Sequence, residues 1–156
     1  VKITSTLNLF IFLLILTSNS VFAEEECVFD ETAYINFINT YKENNKNVSI
    51  EPKDKTLKVK RNNETIVING GGCVHLGMTI KLHSKKTFTE KEFLEKTLSL
   101  SNEFGSWLIN TSALKNSIKT GQYQKIDNIY FIKVDAMTMF EAFFNKGEIN
   151  ISFYIN

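Results

Sequence analysis

From Val74 to His83 the chain alternates without a break: Val74, Leu76, Met78, Ile80 and Leu82 on one parity, and His75, Gly77, Thr79, Lys81 and His83 on the other. A period of two belongs to a β-strand with one face in a core and the other in water. Slipping its register by one residue would exchange the two faces, so the pattern fixes the pairing. This segment demands a sheet covered on one side, and the rest of the chain must supply its neighbours and its cover.

The neighbours are legible. Leu57 and Val59 alternate with Lys58 and Lys60 after a turn at Pro52, Asp54 and Lys55, and Ile66, Val67 and Ile68 form a return strand. Asn62 and Asn63 between them suit a tight hairpin, since Asn tolerates the left-handed backbone of primed turns. Further on, NIYFIKV reads as a strand, and INISFYI as another with Ile149, Ile151, Phe153 and Ile155 opposite Asn150, Ser152 and Tyr154. Residues 136–144 fit a helix with a Met137, Phe140, Phe144 stripe or a strand; the short turn at Asn145, Lys146 and Gly147 favours a hairpin.

Two amphipathic segments offer the cover. Asp30 is placed to cap a helix whose buried face carries Tyr34, Phe37, Ile38 and Tyr41. The segment 87–110 is the longer: Thr87 with Glu90, or Thr89 with Glu92, forms a capping box, and Phe93, Leu94, Leu98, Phe104, Trp107 and Leu108 are its expected stripe, with Gly105 ending or bending it. Residues 111–121 read as a short helix or irregular linker. The expected fold is α+β: a single domain, a predominantly antiparallel sheet of five to seven strands packed against two main helices.

Lys2 precedes the apolar run LNLFIFLLILT, followed by polar SNS, VFA and then acidic residues. That layout is expected of a secretory signal peptide at 1–23 cleaved after Ala23. Its apolar core is far shorter than the roughly 20 residues of a spanning helix, so no membrane span is expected after cleavage. A single exported domain, 24–156, would then hold equal numbers of basic and acidic residues, with Arg61 the only arginine. Such a balance argues against nucleic acid as a partner. A periplasmic or secreted location favours a disulfide between Cys27 and Cys73.

The stretch NGGGCVHLG, 69–77, gathers glycines, Cys73 and His75. A phosphate cradle would need a helix after the glycines, and here a strand follows; the glycines are better suited to a bulge or tight turn where side chains would crowd the disulfide or a neighbouring backbone. A bridged cysteine is no nucleophile. His75 and His83 stand about 26 Å apart along an extended strand, and two cysteines and two histidines make no zinc cluster. Neither HExxH nor GxSxG occurs, and acidic pairs such as Glu90 and Glu92 sit where helix starts favour negative charge. The chain is therefore expected to use no metal or cofactor and to be more readily a binder than an enzyme. His75, Tyr123, Tyr130 and Tyr154 are the candidate binding surface, tyrosine being suited to interfaces. The expected role is a protein-binding module, of inhibitor or immunity type, that blocks another exported or envelope protein sterically. The alternatives are a small envelope hydrolase built from dispersed residues and a structural envelope-associated module.

Overall fold

The computed structural model describes residues 30–46, 48–51, 55–71, 76–136 and 138–155. The leader, Cys27, Cys73, His75 and the turn at Pro52 lie outside the described residues. The elements are α1 (Glu31–Asn44), β1 (Val48–Glu51), β2 (Thr56–Arg61), β3 (Glu64–Gly70), β4 (Leu76–Ser84), α2 (Glu90–Gly105), α3 (Thr111–Thr120), β5 (Gln124–Ile126), β6 (Ile129–Lys133), β7 (Thr138–Asn145) and β8 (Glu148–Ile155). The fold is α+β with an antiparallel sheet, as expected, but has eight strands and three helices among the described residues rather than five to seven strands and two main helices, short β1 and β5 and the helix at 111–120 making the difference. Residues 138–155 form the hairpin β7–β8.

All eight strands join one antiparallel sheet in the order β1-β2-β3-β4-β8-β7-β6-β5. This order hides a repetition. One helix precedes a four-stranded meander ending in β4, then two helices precede a second meander ending in β8, and the two final strands pair at the centre. The repetition is one of strand order alone, and no sequence repeat accompanies it.

The core lies between the helices and one sheet face. Leu57, Ile68, Ile80, Ile151, Ala142 and Tyr130 are successive cross-strand partners over six strands, and all are fully buried. The alternation that opened the argument holds from Met78 to His83. It breaks at Gly77, where one extra residue forms a bulge, Leu76 opposing Tyr154 while Met78 opposes Phe153.

Local chemistry sets each helix. Asp30 Oδ1 accepts from the Ala33 amide at 2.9 Å to start α1. Tyr34 is wholly buried; its hydroxyl lies 2.7 Å from the Lys55 carbonyl and 3.2 Å from that of Ile68, as donor, and burial pushes its pKa up to about 12. Its ring covers Gly70, where any Cβ would collide with it. The crowding that Gly70 relieves thus comes from an aromatic ring. In α2 the Thr89–Glu92 capping box is complete, which decides between the two threonines. The buried stripe of α2 is Phe93, Thr97, Leu100, Ser101 and Phe104, and the expected Leu94 and Leu98 are only half-buried, facing α3 instead. Small Thr97 and Ser101 let the helix sit close to the sheet. Arg61 on β2 forks onto both Glu103 oxygens at 2.7 Å, and the Tyr41 hydroxyl donates to Glu103 Oε1 at 2.7 Å, tying α1, α2 and β2 together. Left-handed Asn62 and Asn63 close the β2–β3 hairpin, as read from sequence.

Candidate functional site: the open face of the sheet

The three described helices lie against one face, so among the described residues parity determines what the other presents. On β2–β4 that face is mostly polar and basic, with Lys58, Lys60, Thr65, Thr79, Lys81 and His83 around one apolar residue, Val67, which lies between Lys58 and Lys81. On β5–β7 it is apolar. Ile126, Ile129 and Phe143 are consecutive cross-strand partners; Phe131 stands between Gln124 and Glu141; Met139 lies between Lys133 and Tyr154. Ile126 and Met139 are 49% and 43% exposed, while Ile129, Phe131, Phe143 and Tyr154 are half-buried.

This patch follows from the sequence of β6 and β7. In an antiparallel sheet with one wet face, strands alternate apolar and polar. β2 and β4 obey that rule and β3 departs from it only at Val67, but in β6 Ile129, Tyr130, Phe131 and Ile132 run apolar on both parities, and β7 adds Met139 and Phe143 on the open side. Strands apolar on both faces are patterned for cover on both faces. A hollow of about 440 Å³ at this edge is lined in part by Gln124, Phe131, Lys133 and Met139. Across the β4–β8 seam, His83 Nδ1 and Glu148 Oε1 meet at 3.1 Å, both more than half exposed, a pair that contributes little to stability.

The tyrosines singled out from sequence do not form one surface. Tyr154 belongs to the open face. Tyr123 sits at the sheet edge, its ring 5.5 Å from that of Tyr130 on the helix side, and it also lines the hollow with Gln124, Phe131 and Met139. Tyr130 is fully buried, with Phe93 at 5.0 Å and the Lys125 ammonium 5.1 Å from its ring centroid; it is a core residue and fringes no surface. Its parity could not be read because all its neighbours are apolar. Burial raises its pKa. Nearby, Glu90 is held below the usual carboxylate range by Lys125, 2.9 Å away.

One SxxK pattern, Ser112-Ala113-Leu114-Lys115, occupies the first turns of α3. A lysine is prepared as a base by desolvation, and both Ser112 and Lys115 are exposed, so the pair lacks the setting of a nucleophile and its base. Among the described residues no group of three or more His, Cys, Asp or Glu side chains converges as metal ligands, and no helix is long and apolar enough to cross a membrane. No family model, curated protein or solved structure matches the chain.

Proposed function

We propose that this is an exported protein-binding module that docks another exported or envelope protein on the open face of its sheet and acts by covering that partner's surface. The observation that carries this reading is the patterning of β6 and β7 for cover on both faces when the described helices cover only one. Its area supports the same reading: eight strands about 4.8 Å apart and about 20 Å long span roughly 650 Å², close to the about 800 Å² each partner buries in a specific complex. The apolar β5–β7 half supplies the anchor, Tyr154 a rigid contact with a polar tip, and the lysines of β2–β4 a basic flank suited to an acidic rim on the partner.

The test is capture from the exported fraction of the native cell with tagged wild type and with Ile126→Lys/Met139→Lys. Both side chains are exposed, so circular dichroism should be unchanged. A stoichiometric partner retained by wild type and lost by the double variant is expected. Equal retention by both would remove the open face from the interface.

A further inference from the structure

On the opposite side of the molecule, α2 and α3 part to leave an open groove of about 780 Å³, within the size range of small-molecule sites. Its floor is Leu94, Leu98, Ile118 and Tyr123. The two leucines are one turn apart on α2; with Ile118 and Tyr123 they pack against the core on one side and line the groove on the other. The floor is therefore apolar and accepts a hydrocarbon body.

The rim is electrically lopsided. On the α2 side the charges are already matched: Glu90 pairs with Lys125 at 2.9 Å, and Lys91 lies 4.0 Å from Glu95. On the α3 side stand Lys115 and Lys119, both lining the groove and neither in an ion pair among the described residues. Like charges four residues apart on a helix repel. The helix dipole rationalises Lys119 in the last turn of α3, but Lys115, a turn earlier, gains nothing comparable. An anion between them would relieve both.

We infer that the α2–α3 groove binds a long-chain carboxylate, its hydrocarbon chain along Leu94, Leu98 and Ile118 and its head between Lys115 and Lys119. This site does not rest on the docking proposed at the open face, although Tyr123 lines both hollows.

The experiment is titration of the intact protein with laurate below its micelle concentration, followed by calorimetry and by the methyl resonances of Leu94, Leu98 and Ile118. Butyrate and dodecyltrimethylammonium serve as the short-chain and cationic controls. Saturable 1:1 binding of laurate is expected, shifting those methyls, weakening as salt is raised, and falling about tenfold or more in Lys115→Glu/Lys119→Glu. Both lysines are exposed, so the variant should keep the wild-type circular dichroism spectrum, and a single Lys115→Gln gives an intermediate check. Non-saturable uptake of laurate, equal binding of the cationic amphiphile, or undiminished binding by the double variant would each overturn the inference. Partner capture by the open face should be the same in wild type and Lys115→Glu/Lys119→Glu.

Discussion

At the scale of single residues, α2 contains one side chain in apparent conflict with its surroundings. Thr97 is fully buried against the sheet, and its hydroxyl has no hydrogen-bond partner among the described residues. The neighbouring Ser101 solves the same problem by donating to the Thr97 carbonyl at 2.8 Å. An unpaired buried hydroxyl forfeits its hydration without recompense, at about 1–3 kcal/mol. Thr97→Val keeps the shape and removes the orphan, with β-branching and hence helix propensity nearly unchanged. The variant should be more stable by about 1 kcal/mol, read as a rise in Tm of several degrees; an unchanged or lower Tm would mean that the hydroxyl is satisfied in solution, by water for example.

The elements show where pH enters. Glu92 closes the α2 capping box, accepting from the Thr89 amide at 2.9 Å, and also takes a hydrogen bond from Lys86 at 2.6 Å. Lys86 first, and then Thr89, hold its carboxyl down at about 2, against about 4.3 in an unfolded chain. A depressed acid contributes stability above its unfolded pKa and loses it as pH falls through the folded value. Glu92→Gln should therefore be less stable than wild type at pH 7, with the gap narrowing from about pH 4.3 and closing near pH 2; parallel urea midpoints across that range would show that the carboxylate's charge plays no part. This box was readable because S/T-x-x-E is a local code. So were the Asp30 cap and the Asn62–Asn63 hairpin, each depending on a residue and its immediate neighbours. What was illegible depended on parity or on a second stripe. β6 is apolar on both faces, so nothing in it says that Tyr130 points inward and Phe131 outward. In α2, Leu94 and Leu98 compete with Phe93 and Leu100, and one period cannot tell which stripe meets the sheet and which meets α3. The bulge at Gly77 leaves the alternation of the sequence intact while shifting its meaning by one residue. β5, three exposed residues, has no burial pattern to read.

For the whole molecule, the question is whether the two meanders fold as one. The seam between them is not a loose contact: β4 and β8 pair over most of their length, with Ile80 and Ile151 buried as direct partners. A second tie crosses on the helix side, where Trp107, after α2, lies 5.8 Å from Tyr34 and 5.9 Å from Phe37 of α1. Each half alone would leave a central strand edge and an apolar row exposed, which favours a single cooperative unit of the size that unfolds in one step. Denaturation followed by Trp107 fluorescence and by far-ultraviolet circular dichroism should then give one coincident transition. Ile80→Ala, which opens a cavity in the first meander, should cost about 2–5 kcal/mol. Hydrogen exchange locates that cost. In one cooperative unit, the slowest amides of β6 and β7 accelerate by the same free energy as those of β2 and β3, although Ile80 touches neither β6 nor β7 in register. Acceleration confined to β2 and β3 would instead show two units that merely share an edge, and the two meanders would then divide the molecule in stability as well as in strand order.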